Sequence, residues 1–162
     1  MAMFKGPGKI YDLNEARTKI RAFCAYRERS QNEVEDKLRS YGLGEEITGE
    51  LLVELIQEGF LNEQRFAEAF VRGKFNQKRW GKYKIRMGLR KHHVPEGLID
   101  QALKIIDTGA YLNAISEQAS KWQAQKGKAD HPERRRQLIQ FLRSRGFEYE
   151  MIKDALDEPE DD

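Results

Sequence analysis

An all-α fold, a tandem array of three three-helix units stacked into an elongated, curved body of nine helices, is what the 162 residues predict. Three observations carry the prediction. Apolar residues recur at spacings of three and four, as in Val34/Leu38/Tyr41, Leu51/Leu52/Leu55/Ile56, Ile85/Leu89 and Leu138/Phe141/Leu142, while alternating β-branched runs are absent. None of the four prolines interrupts a periodic stretch, and Gly42, Gly59, Gly109, Gly127 and Gly146 sit where helices should stop. The pattern then repeats about every 50 residues: Val34, Leu38 and Gly42-Leu43 correspond to Ile85, Leu89 and His93-Val94, then to Leu138, Leu142 and Gly146-Phe147. Ile47 and Leu52 likewise map onto Leu98 and Leu103, then Met151 and Leu156. Units of this kind bury their apolar faces against neighbours and present a long surface in place of one closed pocket.

The elements follow in order. A helix over 13–28 starts at Asp12, with Glu15 three residues on; one over 31–41 starts from the Ser30-Gln31-Asn32-Glu33 capping box and stops at Gly42. A third over 45–58 stops at Gly59, and the fourth spans 62–78. The fifth, 81–92, closes on His92 and His93, where imidazole favours the helix dipole. Pro95 opens the sixth over 95–107, stopped by Gly109, and the seventh over 110–126 ends at Gly127. The eighth, 131–145, takes Asp130 and Glu133 as its cap with Pro132 in the first turn, and Gly146 ends it before the ninth, 148–157. The organisation reads as an N-terminal segment 1–11, units 12–59, 60–108 and 109–157, and a disordered acidic tail 158–162 that keeps the chain soluble.

Composition excludes several classes. No apolar run approaches the roughly 18 residues of a membrane span, and the N-terminus has no signal-peptide core, so the chain is expected in the cytoplasm. Cys24 is the only cysteine and sits in an apolar helix stripe, which makes it a small core residue and leaves no disulfide or cysteine-rich zinc site. Gly6-Pro7-Gly8-Lys9 lacks the spacing and the Ser/Thr of a phosphate loop. His92, His93 and His131 have no ligand spacing, and His131-Pro132-Glu133 lacks the cysteine half of a zinc deaminase motif. The carboxylates of 33–58 belong to a solvated face. No cofactor, metal or catalytic constellation is expected, so the chain reads as a non-enzyme.

Charge carries more. The formal net charge of +2 conceals blocks: residues 30–61 hold eight acidic and two basic groups, residues 62–93 ten basic and two acidic, and residues 148–162 eight acidic and one basic. In the basic block Arg72, Lys74, Lys78, Arg79, Lys82 and Lys84 interleave with Phe75, Trp80 and Tyr83, and Lys82, Arg86 and Arg90 form one helical stripe. Arg134, Arg135, Arg136, Arg143 and Arg145 make a second patch in the third unit. Cations with aromatics suit phosphates and bases, or an acidic protein groove. The expected contact residues are therefore Arg72, Lys74, Lys78, Arg79, Trp80, Lys82, Tyr83, Arg86, Arg90, Arg134, Arg135 and Arg143. Residues 30–61 have the outline of a helix-turn-helix, but Glu45, Glu46, Glu50 and Glu54 make its second helix a poor groove reader.

The segment Arg27-Glu28-Arg29-Ser30-x-x-Glu33-Val34-x-x-Lys37-Leu38 resembles the RecX family of regulatory proteins. So do Gly59-Phe60-Leu61-Asn62-Glu63-x-Arg65-Phe66-Ala67-x-Ala69-Phe70-Val71 and the stretch from Trp80-Gly81 through Leu98-Ile99-x-x-Ala102-Leu103. The likeness runs over all three repeats in order. It implies a non-enzymatic monomer that binds the RecA recombinase filament on single-stranded DNA and restrains its ATPase and strand exchange, in DNA repair and SOS control. Direct single- or double-stranded DNA binding without RecA is the alternative. Two positions depart from the family pattern: Gly88 within a helix, at a cost of about 1 kcal/mol, and His93 at a turn usually given to glycine.

Overall fold

The computed structural model describes residues 10–157 and holds nine helices with no strand among them. They are α1 (Leu13–Tyr26), α2 (Gln31–Ser40), α3 (Glu45–Gln57), α4 (Glu63–Asn76), α5 (Lys82–Lys91), α6 (Glu96–Leu103), α7 (Thr108–Lys126), α8 (Pro132–Ser144) and α9 (Tyr149–Asp157). Most of the N-terminal segment 1–11 and the acidic tail lie outside the described residues. Of that segment, Tyr11 donates its N–H to the Tyr41 carbonyl at 3.1 Å and sets its ring edge-on to Tyr41.

Local chemistry explains the helix starts. Asp12 accepts the Glu15 N–H at 2.8 Å, Asn62 accepts that of Arg65 at 2.9 Å, and both halves of the Ser30/Glu33 capping box form. Three expected boundaries are corrected. Asp130 and Glu133 do not cap α8; its N-cap is His131, which makes no side-chain bond there. Gly109 lies inside the first turn of α7, because Asp107 accepts the Ala110 N–H and starts the helix upstream. Helix α6 ends at Leu103 instead of continuing to 107, and Lys104, Ile105 and Ile106 donate to carbonyls three residues back, a tightened last turn.

The helices pack in threes, α1–α3, α4–α6 and α7–α9. The cores do not follow that count. Ile20, Cys24, Val34, Leu38, Leu51 and Leu55 close a core of the first unit, which Phe60 and Leu61 complete from just beyond α3, whereas Phe66, Ile85, Leu89, Tyr111, Leu142 and Ile152 belong to one core that runs through units two and three. Burial pushes the Cys24 thiol above its ordinary range, as befits a packing residue. The joint between the first and second units is mixed. Arg65 pairs with Glu28 at 3.0 Å, and the His92 Nδ1 lies 3.5 Å from the Ser30 hydroxyl and 4.0 Å from Glu33. His92 caps α5 by position, but its ring packs edge-on against Phe66 and Phe70. Hydrogen bonds and ion pairs link the first unit to the second and the second to the third.

Candidate binding surface

The joint between units two and three is built from backbone. Gly81 N–H donates to the Arg145 carbonyl at 2.8 Å and Tyr83 N–H to that of Gly146 at 3.0 Å, while the Arg145 guanidinium donates to the Lys78 carbonyl. A Cβ on Gly81 would fall 2.1 Å from the Gly146 carbonyl carbon, so only glycine permits this approach; Gly146 itself has φ +96°. Lys82 N–H donates to the Tyr111 hydroxyl at 2.9 Å, and that hydroxyl donates to Glu148 at 2.6 Å. Tyr111 is fully buried, and burial followed by its bond to Glu148 raises its pKa far above the ordinary tyrosine range. The first N–H groups of α5 are thereby occupied and offer no anion site. What the joint does is lay the start of α5 beside the end of α8, bringing two basic segments about 60 residues apart in sequence onto one surface.

The expected contact residues divide on that surface. Trp80 is half-buried, with the Lys74 and Lys84 ammonium groups 4.7 and 4.5 Å from the centre of its ring. Arg79 pairs with Glu117 at 3.2 Å. Arg86 forks between Glu96 and Asp100, both at 2.8 Å, and Arg90 takes the other oxygen of Glu96 at 2.5 Å, holding that carboxyl below the usual range. The expected stripe of Lys82, Arg86 and Arg90 is thus largely neutralised by α6. Arg135 is tied to Asp157 at 2.5 Å, and Arg134 is half-buried. Arg143, Lys78 and Arg72 are exposed and make no ion pair among the described residues, Arg72 beside a hollow of about 290 Å³ between α4 and α7.

Three clefts run together across units two and three. One of about 540 Å³ is lined by Lys82, Tyr83, Arg86, Asp100, Lys104 and Glu148. The next, about 400 Å³, shares Tyr83 and Glu148 and adds Arg143, Phe147 and Tyr149. The third, about 680 Å³, shares Arg143 and Tyr149 and continues past His131, Arg135, Arg136 and Ile139. The result is a furrow with Tyr83 and Tyr149 exposed on its walls. Lys104 and Tyr149 were not among the expected residues, because one stands outside the basic blocks and the other inside an acidic one. Among the described residues no group of His, Cys, Asp and Glu can hold a metal ion, and no helix is long and apolar enough to cross a membrane.

Comparisons with known proteins agree with this architecture. Residues 62–103 match the family model described as RecX, second three-helix domain, and residues 110–156 that of the third three-helix domain. The chain is 32% identical over 148 residues to the regulatory protein RecX of Prosthecochloris aestuarii, covering 91% of this chain and 95% of that one. It is 35% identical over 130 residues to that of Pseudomonas entomophila, covering 79% and 81%. The crystal structure of RecX from Lactobacillus salivarius superposes with a TM-score of 0.84 over 91% of this chain and 96% of that one; at 24% identity the likeness is one of fold.

Proposed function

The chain belongs to the RecX family, and we propose that it binds the RecA filament on single-stranded DNA and restrains the filament's ATPase and strand exchange, in DNA repair and SOS control. The observation that carries the reading, beside the membership, is a furrow across units two and three into which Lys82, Lys104 and Arg143 bring cations without an ion pair among the described residues. Units 12–59, 60–108 and 109–157 act as successive contact modules of one monomer in the cytoplasm. Several weak contacts along a filament add through effective concentration. Bridging adjacent protomers hinders the movement between them that accompanies nucleotide turnover.

Within the expected set, Arg143, Lys82 and Tyr83 face the furrow and meet the filament or its DNA, with Lys104 and Tyr149 beside them. The test is RecA ATPase on single-stranded DNA titrated with this protein, alongside its binding to bare DNA at the same salt. Inhibition at concentrations where bare DNA is scarcely bound supports the reading. Unchanged turnover at saturating protein sinks it, and an effect explained by competition for the strand makes direct DNA binding the answer.

A further inference from the structure

Helix α3 turns a face outward that nothing in the described chain covers. At about 100° per residue, Glu46, Gly49, Glu50, Val53, Ile56 and Gln57 fall within an arc of about 120°, opposite the buried Thr48, Leu51, Leu52 and Leu55. Val53 is 52% and Ile56 48% exposed, and they adjoin each other on this arc. Glu46 and Glu50 make no ion pair or hydrogen bond among the described residues, whereas Glu54 and Glu58, on the flank, are taken by Arg17 and Arg21 of α1.

Gly49 lies within this face. A glycine inside a helix weakens it relative to alanine. Gly88 has an internal reason, since a Cβ there would lie 2.7 Å from the Phe70 ring. At Gly49, as at Gly73 in α4 and Gly97 in α6, nothing lies within 4 Å of where the Cβ would be; of the three, Gly49 alone has exposed aliphatics, Val53 and Ile56, four and seven residues on. A notch between exposed aliphatics and unpaired carboxylates lets another surface approach the helix backbone closely.

We infer that this face of α3 is a docking surface for the protein component of the filament, received by an apolar ridge rimmed with lysine or arginine. The inference rests on the functional reading above and deepens it. Charge selects the occupant: residues 30–61, which include all of α3, hold eight acidic and two basic groups, and the segment repels phosphate and favours a basic protein surface. Unit one then grips protein, while the basic furrow of units two and three faces the anionic side of the filament.

The experiment measures affinity for RecA assembled on immobilised oligo-dT, affinity for the bare oligomer, and thermal unfolding. Gly49→Leu fills the notch with a good helix former, so its unfolding midpoint rises by about 2–4 °C while its affinity for the filament falls about tenfold. Val53→Ser/Ile56→Ser and Glu46→Lys/Glu50→Lys weaken filament binding similarly, the charge pair most at low salt, and bare-strand affinity does not fall. Variants that bind the filament like the wild type overturn the assignment. So does wild-type self-association that the same substitutions abolish, which makes the face a contact between copies. A gain in filament affinity on deleting residues 2–9 also overturns it, since the chain's own N-terminus is then the occupant. A wild type that neither binds nor slows RecA removes the functional reading and this inference together; an active wild type with indifferent variants removes this inference alone.

Discussion

Replacing Tyr111 by phenylalanine removes one oxygen atom from the joint between units two and three and nothing else. The ring keeps its contacts with Phe75 at 5.9 Å and Phe147 at 5.4 Å between centroids. Lost are the 2.6 Å donation to Glu148 and the 2.9 Å acceptance from Lys82 N–H. A bond to a charged acceptor contributes about 1.5–3 kcal/mol and a neutral one about 0.5–1.5 kcal/mol. Glu148 and Lys82 both line the furrow, so water recovers part of the loss. The expected net cost is about 2–3 kcal/mol. Because units two and three share one core, the cost should fall on α4–α9 together, read by native-state hydrogen exchange as a loss of protection of about 30- to 150-fold for their slowest amides. The amides of α1–α3, held by a separate core, should change little. A loss below about 0.5 kcal/mol, or an equal loss in α1–α3, would refute the view that this hydroxyl and this shared core join the two units.

Three further outcomes follow from the same contacts. Gly88→Ala should destabilise by about 1–2 kcal/mol in urea unfolding although the helix gains propensity, because the new methyl meets Phe70; Phe70→Leu should recover most of it. Glu54 and Glu96 are held below the ordinary carboxylate range by Arg17 and Arg90, so they stabilise the fold above the unfolded value of about 4.3 and lose this as pH falls through their folded values. Unfolding midpoints measured from pH 6 to 3 should fall less steeply in Glu54→Gln/Glu96→Gln. Finally, Arg143→Ala should weaken filament binding several-fold and flatten its salt dependence, whereas Arg90→Ala, whose charge Glu96 already balances, should leave both nearly unchanged in a direct binding titration.

The helices were legible because what makes them is local. Ser30 and Glu33, Asp12 and Glu15, and Val34 and Leu38 act over three or four residues, and the 50-residue register of Leu38, Leu89 and Leu142 needs no coordinates. The failed cap at Asp130 and the misplaced stop at Gly109 are the same reasoning where a neighbour, His131 or Asp107, took the position first. The binding surface was legible only as composition. Lys82, Tyr83 and Arg143, which line the furrow, stand in the basic segments of the sequence, but the repeat gave no sign that two of the units share a core and the first does not.

Helix periodicity, capping and the repeat are written into the order of the residues, since each depends on groups within a turn or two of one another. Which charges remain available is a matter of distance in space. Arg86 and Arg90 were as basic in the sequence as Arg143, and became different when α6 folded Glu96 and Asp100 against them. The furrow exists because Gly81 and Gly146 let two backbones touch 65 residues apart. Electrostatics and close packing fall off over a few ångströms, so a chain settles them only when it has folded.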